Sequence, residues 1–360
     1  LVAPFAAALM ERFTVRKVVM SALALVSVSA TSTIFMNQPW HLWALWGVGV
    51  GVGAGSMALV FAATIANRWF VARKGIVIGA LTAATASGQL IFLPMLSHFA
   101  INYGWKSVSL TVGAAAALVI PFIYFFLKEK PELLGMAPYG APDNWQPPAP
   151  NELSAGRIAI DTLRVSSKSK DFWILFGTFL VCGLSTNGLI GTHFIPAAHD
   201  HGMAETVAAG LLALIGLFDV IGTLFSGYLT DRMDPRKLLF FYYGLRGLSL
   251  FLLPSILFST LHPSTLVFII FYGLDWVATV PPTLVLCRMV MGNQRSAVVY
   301  GWVFVGHQVG ASIAALGAAV LRVKLGDYAL AFYISAAMCL VAAFAVLHIA
   351  KGKTAAELRG

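Results

Sequence analysis

The sequence predicts an all-α integral membrane protein built from two related helix bundles. Three observations lead to this fold class: the composition, a recurrence of apolar runs and an internal repeat. Of the 360 residues, 59% are hydrophobic and 11% are charged, and the mean hydropathy is +0.81. Water-facing domains carry roughly 25% charged residues, so this chain cannot maintain a soluble surface.

Apolar runs of about 20 residues recur along the chain, which is the length that an α-helix needs to cross the hydrocarbon core of a bilayer. Short polar segments separate them. The ten predicted spans are 18–36, 42–66, 75–98, 107–127, 171–195, 204–229, 238–257, 264–290, 297–321 and 329–350. A further apolar stretch, Leu1 to Met10, is too short to cross and has no basic leader. We expect it to be the tail of helix 2 in a twelve-helix protein, two bundles of six, with helix 1 and most of helix 2 missing from the sequence.

An acidic and basic turn occurs twice, 220 positions apart. The matching residues are Leu9, Glu11, Arg12, Arg16 and Lys17 in the first copy, and Leu229, Asp231, Arg232, Arg236 and Lys237 in the second. At an offset of 222, Arg73, Gly79 and Gly88 match Arg295, Gly301 and Gly310. Each half holds an even number of spans, so the two copies run in the same direction, related by an axis along the membrane normal. This relationship predicts a cavity between the halves.

The basic residues set the orientation of the chain. Of 24 Lys and Arg residues, 20 fall on one side of the predicted membrane. The positive-inside rule places this side, the C-terminus included, in the cytoplasm, and we expect a bacterial cytoplasmic (inner) membrane. The net charge of +9 is carried by short membrane-flanking loops, so it needs no nucleic-acid partner.

The longest connection, 128–170, marks the boundary between the halves. Its six prolines exclude a long helix before about Ser154. The predicted domains are an incomplete N-terminal bundle at 1–127, a cytoplasmic linker at 128–170, a C-terminal bundle at 171–350 and a tail at 351–360. Within the linker, 153–163 favours a short amphipathic helix on the membrane surface.

The sequence gives no indication of an enzyme or of a bound cofactor. Cys182, Cys287 and Cys339 lie in three different spans without metal-ligand spacing, which is typical of buried, small apolar residues. The chain has no phosphate-binding glycine loop, nucleophile elbow or cluster of metal ligands.

The second loop carries a family resemblance. The segment from Gly227 to Lys237, GYLTDRMDPRK, resembles the signature loop of the major facilitator superfamily, G-x-L-x-D-R-x-G-R-R-K. The first loop matches the same pattern less completely. The run from Trp69 to Gly79 resembles the entry of helix 5 in the monocarboxylate and oxalate–formate porter branches. Phe218-Asp219 is similar to the monocarboxylate pattern, but Thr223 stands where that pattern has Arg.

This resemblance implies a secondary active transporter that works by alternating access. It also implies that the spans at 42–66, 171–195 and 264–290 line the cavity together with helix 1. In such a protein the two acidic and basic loops hold the cytoplasmic ends together in one conformer and release them in the other. The alternative is that they only orient the chain. Glu11 and Asp231 lie beside helix ends, so each can accept hydrogen bonds from helix N-terminal amides or from a guanidinium.

Polar side chains at mid-depth are the candidates for the substrate and proton pathway. They are Gln89, Asn187, Asp219, Arg246, Asp275 and His307. A lone charge at this depth costs roughly 2.5–3.5 kcal/mol, so each charged group should face a partner or a water-filled cavity. The resemblance directs Asp275 and Asn187 toward the cavity. The resemblance also implies that Arg246 lies on a peripheral span, within reach of Asp219 or Asp275, either as a static clamp or as a switch operated by protonation.

Three polar stripes at helical spacing extend this set. They are Thr82, Thr85 and Gln89; Tyr300, Phe304 and His307; and Asp219, Thr223 and Ser226. Such stripes suit a carboxylate or another small polar solute, but hydroxyls also bond their own backbone and bridge helices. Pro281-Pro282 should kink or open the helix about one and a half turns past Asp275, leaving carbonyls without donors.

The function expected from these features is proton-coupled uptake of a small organic anion such as a monocarboxylate. The expected partners are this solute, protons and the lipid bilayer, and the protein is expected to be a monomer. Proton-driven export of amphipathic compounds is the alternative within the same class. A transport-inactive membrane sensor or scaffold is the alternative from another class.

Overall fold

The computed structural model describes residues 2–142, 145–146, 155–292 and 296–350, with the backbone alone at 58–59, 85–87, 89–90, 93–94, 97, 101 and 155. This part of the chain is almost entirely helical. Its helices are α1 (Ala3–Arg12), α2 (Val15–Phe35), α3 (Pro39–Trp69), α4 (Lys74–Tyr103), α5 (Trp105–Phe126), α6 (Ala155–Ser166), α7 (Lys170–Asp200), α8 (Glu205–Thr230), α9 (Pro235–Ile256), α10 (Pro263–Met291), α11 (Ser296–Leu325) and α12 (Ala329–Val346).

All ten predicted spans coincide with helices, which confirms the fold class. Within the described ranges, nine helices are long and apolar enough to cross a bilayer, and the remaining predicted span, 75–98, lies inside the 30-residue α4. Their ends differ from the predictions by a few residues. Lys324 lies in the last turn of α11, where its charge suits the negative end of the helix dipole, so the helix runs past the predicted limit of 321.

The first compact unit comprises Leu1–Ala72 and Phe92–Arg164. In it α2 packs against α3 and α5, and α1 packs against α3. The shared core consists of Met10, Val15, Val19, Leu23, Val26 and Ala116. Gly53 permits the close approach of α3 to α2, because a Cβ at this position would lie 2.8 Å from the carbonyl oxygen of Ala22.

The second compact unit comprises Arg73–Ile91 and Val165–Gly360. Its main helix pairs are α9 with α12, α7 with α11 and α8 with α10. The α8–α10 pair is in backbone contact, because a Cβ on Gly222 would overlap the carbonyl oxygen of Leu274. The domain limits predicted from the sequence stay predictions.

The two acidic and basic loops have the same local structure. Thr14 and Asp234, 220 positions apart, each cap a helix: the Thr14 side chain accepts from the Lys17 amide at 3.3 Å, and Asp234 accepts from the Arg236 amide at 3.0 Å. Arg16 Nε donates to the carbonyl of Leu127 at 3.2 Å, and its counterpart Arg236 Nη1 donates to the carbonyl of Ile349 at 3.1 Å. The repeat in the sequence is therefore also a repeat of contacts.

The linker contains the expected short helix. α6 buries Ile158, Ala159 and Thr162, while Ile160 and Val165 face outward. This amphipathic helix lies close to the predicted 153–163. Upstream, 128–142 holds only a single helical turn, Pro131–Leu134, in agreement with its proline content. The tail at 351–360 lies outside the described residues.

Within the described residues, the interiors of three long helices depart from regular α geometry. α3 contains a π-helical segment at Trp43–Val50, and α7 contains one at Leu184–Ile190. α10 is interrupted at 276–279, directly after Asp275 and not one and a half turns past it. A proline lacks the N–H that would bond the carbonyl four residues upstream, so Pro281 and Pro282 open the helix on their N-terminal side.

Candidate polar site in the second unit

Arg246 is the centre of a buried polar cluster. Its residue exposure is 1%, and its guanidinium leaves α9 toward α7 and α10. Nε donates to Asp275 Oδ2 at 2.6 Å, and Nη2 donates to the carbonyls of Asp275 and Trp276 at 2.5 and 3.2 Å. Nη1 donates to Cys182 Sγ at 3.2 Å and Ser185 Oγ at 3.4 Å. A guanidinium has five N–H donors, so all of them are occupied by protein acceptors.

Asp275 is half-satisfied. Its Oδ2 is bound to Arg246, whereas its buried Oδ1 has no hydrogen-bond partner within the described part of the chain. Both side chains are almost fully buried, at 0% exposure for Arg246 and 8% for Asp275. Such a pair loses the hydration of two charges, and only good geometry offsets that cost. Of the two acids predicted to reach Arg246, the structure therefore assigns the direct ion pair to Asp275.

The polar stripe on α8 binds the interruption of α10. Asp219 Oδ1 accepts from the Thr223 hydroxyl at 2.7 Å and from the Val277 amide at 3.0 Å. Ser226 Oγ donates to the carbonyl of Ala278 at 2.5 Å. Together with Arg246, these side chains satisfy backbone groups that the interrupted helix leaves free. Asp219 is 1% exposed, so its carboxylate acts here as a buried acceptor for a backbone amide.

α7 contributes groups that the sequence analysis did not assign to the site. Besides Cys182 and Ser185, which contact Arg246, the Ser185 carbonyl accepts from the Tyr272 hydroxyl at 2.7 Å. Cys182 Sγ also lies 3.3 Å from Thr279 Oγ1. Cys182 is buried as expected, but it is more than a small apolar residue, because its sulfur contacts Arg246 of α9 and Thr279 at the interruption of α10. The i, i+3 spacing of Cys182 and Ser185 within an apolar span was the available signal.

The stripe on α11 forms an aromatic group with Phe179 of α7. The ring of Phe179 lies 5.7 Å from that of Tyr300 and 5.1 Å from that of His307, and Phe304 stacks on His307 at 5.3 Å. The Tyr300 hydroxyl and His307 Nδ1 are both buried, with no hydrogen-bond partner among the residues described. His307 also lies within interacting distance of the Cys182 thiol.

One predicted pathway residue, Asn187, does not join this cluster. The Asn187 side chain is exposed, although the residue belongs to the π-helical segment of α7, and its carbonyl accepts from Thr192 at 2.8 Å. The side chains of Gln89 and Thr85 lie outside the described residues. π-Helical segments recur at functional sites, so the position of Asn187 remains a candidate.

Asp231 in the second loop accepts hydrogen bonds from two backbone amides, as we expected from its position beside helix ends. Its oxygens accept from the amides of Gly75 and Ile76, at the start of α4, at 3.0 and 3.2 Å. Arg288 lies close enough to Asp231 to interact electrostatically. Arg232 is exposed and lies over the ring of Tyr228 at 3.8 Å.

The first loop uses the same pairing of residue types. Glu11 interacts electrostatically with Arg68, which occupies the position 220 residues before Arg288. Arg68 also donates to the Met10 carbonyl and forms an ion pair with Glu129 at 3.6 Å. Arg12 is exposed and lies over the ring of Phe13. Each loop thus places its acid beside an arginine at the end of the neighbouring long helix.

Asp234 differs from its counterpart Thr14 in carrying a charge. Its carboxylate accepts from the Arg236 side chain at 3.0 and 2.5 Å. The Arg236 guanidinium holds the pKa of this carboxyl below its usual range, and the Arg236 amide acts in the same direction. Within the described ranges no group of three or more His, Cys, Asp or Glu residues has the arrangement of a metal site.

Comparison with known proteins agrees with this architecture. The family model described as Major Facilitator Superfamily matches residues 1–315. The chain belongs to this superfamily. It is 27% identical over 293 residues to the uncharacterized MFS-type transporter YcxA of Bacillus subtilis, covering 76% of this chain and 64% of YcxA. The chain therefore spans just under two thirds of the length of this relative.

The monocarboxylate branch is also represented among the similar proteins. Monocarboxylate transporter 12-B of Danio rerio is 26% identical over 334 residues, covering 86% of this chain and 68% of the relative. Among solved structures, the Escherichia coli fucose:proton symporter FucP superposes with a TM-score of 0.68 at 16% identity, covering 97% of this chain and 88% of FucP. The likeness to FucP shows the fold.

Proposed function

We propose that the protein is a secondary active transporter that moves a small organic anion, such as a monocarboxylate, together with a proton. It works by alternating access and performs no covalent chemistry on its substrate. The observation that carries the proposal is the buried Arg246–Asp275 pair directly beside the interruption of α10. Relatives named monocarboxylate transporters and a structural neighbour named a proton symporter support it.

Asp275 is the proposed proton site. One of its oxygens is bound to Arg246, and the other is buried without a partner in the described structure, so a proton can be added there without breaking an existing bond. Protonation removes the negative charge that faces the guanidinium. At an effective dielectric constant of 20, two unit charges 4 Å apart attract by about 4 kcal/mol, so this change is large enough to reorganise the pair.

Arg246 is the proposed anion site. With all five donors occupied, it cannot receive a carboxylate in this conformation. A substrate carboxylate can take the place of Asp275 only after that acid has been neutralised, because a buried guanidinium must keep a paired charge. The proposed order is therefore proton first and anion second. This is the switch interpretation of the pair.

The surrounding residues receive supporting roles in the proposal. Asp219, Thr223 and Ser226 hold the interruption of α10 in place, and His307 and Tyr300 offer polar atoms without partners in the described structure. Asn187 and Gln89 are proposed to contribute from α7 and α4. The two loops, with Glu11, Arg12, Arg16, Asp231, Arg232 and Arg236, are proposed to gate the cytoplasmic side. We place the protein in a bacterial cytoplasmic membrane as a monomer, with its C-terminus inside.

The test is uptake of radiolabelled short-chain monocarboxylates into proteoliposomes, with and without an inward proton gradient. The gradient should drive accumulation, and Asp275→Asn should abolish it. Asp200→Asn is the matched control. Asp200 is the last residue of α7 and is paired with Arg322 at 2.6 Å, so its substitution should leave uptake largely intact. Uptake that ignores the gradient, or that survives Asp275→Asn, contradicts the proposal.

A further inference from the structure

Cys182 has surroundings that set it apart from another buried cysteine of the chain. Cys182 is 2% exposed and Cys287 is 0% exposed, and both thiols are free. Cys182 lies against Arg246 and Thr279, whereas Cys287 lies outside this cluster. Comparing the reactivity of these two thiols separates the effect of the polar neighbours from the effect of burial alone.

The contacts of Cys182 favour a negatively charged sulfur. Arg246 Nη1, 3.2 Å away, can only donate, so the sulfur is the acceptor of that hydrogen bond. Thr279 Oγ1, at 3.3 Å, can donate to it as well. Hydrogen bonds from a guanidinium and a hydroxyl stabilise a thiolate more than a neutral thiol.

His307 supplies an independent second feature. It is 7% exposed, its Nδ1 has no hydrogen-bond partner in the described structure, and the imidazole interacts with the Cys182 thiol. A neutral imidazole is the side chain best suited to accept a thiol proton near neutral pH. A cysteine, a base and a fixed positive charge thus occupy one buried cluster, which is the arrangement that activates cysteine nucleophiles.

We propose that Cys182 is a covalent modification site for small uncharged electrophiles. Arg246 and Thr279 hold the sulfur as a thiolate, and His307 takes up the thiol proton. With iodoacetamide as the probe, the sulfur electron pair forms a bond to the methylene carbon, the carbon–iodine bond breaks and iodide leaves. The proton passes from His307 to water. The reagent must be uncharged, because in this conformation all donors of Arg246 are occupied and the desolvation cost of an entering ion would not be offset.

The position of Cys182 gives the modification a consequence for the protein. The residue lies at the end of the regular first part of α7, immediately before the π-helical segment at Leu184–Ile190, and it faces the interruption of α10 at Thr279. An added acetamide group would enlarge a side chain between two irregular helix segments. We therefore expect alkylation to impair any rearrangement in which these segments move.

The experiment measures alkylation of the intact protein in membranes by quantitative mass spectrometry. At pH 7 the Cys182 peptide should react about tenfold faster than the Cys287 peptide, the thiolate fraction outweighing its lower intrinsic nucleophilicity. In detergent-denatured protein the two rates should become equal. His307→Gln and Arg246→Lys should each slow the alkylation of Cys182 and leave the alkylation rate of Cys287 unchanged.

Several outcomes would overturn the proposal. Cys182 could react no faster than Cys287 in the folded protein, or its advantage could persist after denaturation, or it could be unaffected by His307→Gln. The Cys287 rate in each variant reports whether the variant is folded, so a misfolded Arg246 variant is recognised and the His307 variant still decides. This test does not depend on transport, so its failure leaves the proposed function standing.

Discussion

Arg246 on α9 binds Asp275 on α10 at two points, through the carboxylate at 2.6 Å and through the main-chain carbonyl at 2.5 Å. The side-chain bond joins two charges, and the main-chain bond satisfies a carbonyl at the interruption of α10. One arginine therefore links the charge balance of the site to the shape of the helix. A change in the charge of Asp275 is consequently expected to alter the backbone conformation at the interruption of α10.

Removal of one member of this pair should be far more damaging than removal of both. Asp275→Leu or Arg246→Met alone should lower the free energy of unfolding by about 3–5 kcal/mol, because each leaves an unpaired buried charge. The double variant should recover much of that loss and still fail to transport. Unfolding in mixed micelles, titrated with SDS, measures the cycle. Additive losses in the double variant would show that the two charges do not depend on each other.

Gly222 and Gly210 of α8 should respond in opposite directions to alanine. No atom lies within 4 Å of the point that an alanine methyl group would occupy at Gly210, so Gly210→Ala should stabilise the helix by up to about 1 kcal/mol. At Gly222 the methyl group would overlap the carbonyl oxygen of Leu274, so Gly222→Ala should cost about 1–3 kcal/mol. Thermal unfolding in detergent compares the two. Equal melting temperatures would contradict the backbone contact between α8 and α10.

Asp231 should matter more than its neighbour Arg232. Asp231→Ala removes the acceptor of two amides at the start of α4, a loss of about 0.5–2 kcal/mol by comparison with helix caps. If these bonds hold one conformer, the transport rate should change by a factor of about 5–30. Arg232→Ala removes an exposed cation–π contact instead of two backbone hydrogen bonds, so it should change the transport rate less than Asp231→Ala does. Indistinguishable transport rates for the two variants would leave the loop with an orienting role only.

The stability contributed by Asp234 should depend on pH. Its pKa is held below the ordinary value by Arg236, so its contribution is complete above the unfolded-state pKa of about 4 and is lost as the pH falls through the folded-state pKa. Asp234→Asn keeps the helix cap and removes the charge. Its melting temperature should lie below that of the unmodified protein at pH 7, and the gap should close in strong acid. A gap that widens on acidification has the wrong sign for this mechanism.

The helices were predictable from the sequence because the bilayer acts as a solvent that selects long apolar segments. All ten predicted spans coincide with helices on this basis alone. The repeated loops were also predictable, since Arg16 and Arg236 occupy matching positions and make matching contacts with Leu127 and Ile349. Charge distribution and residue spacing are local properties of the sequence, so both can be interpreted without knowledge of the packing.

The partner of Arg246 was decided only by the tertiary structure. Asp219 and Asp275 were equally plausible by depth, and the choice depends on the rotation of three helices and on the interruption of α10. Asp219 instead binds the Val277 amide, 58 positions away, and Cys182 reaches Arg246 across 64 positions. Composition places charges at a depth in the membrane, whereas the pairing of buried charges follows from the packing of distant segments and from the backbone groups that an irregular helix leaves free.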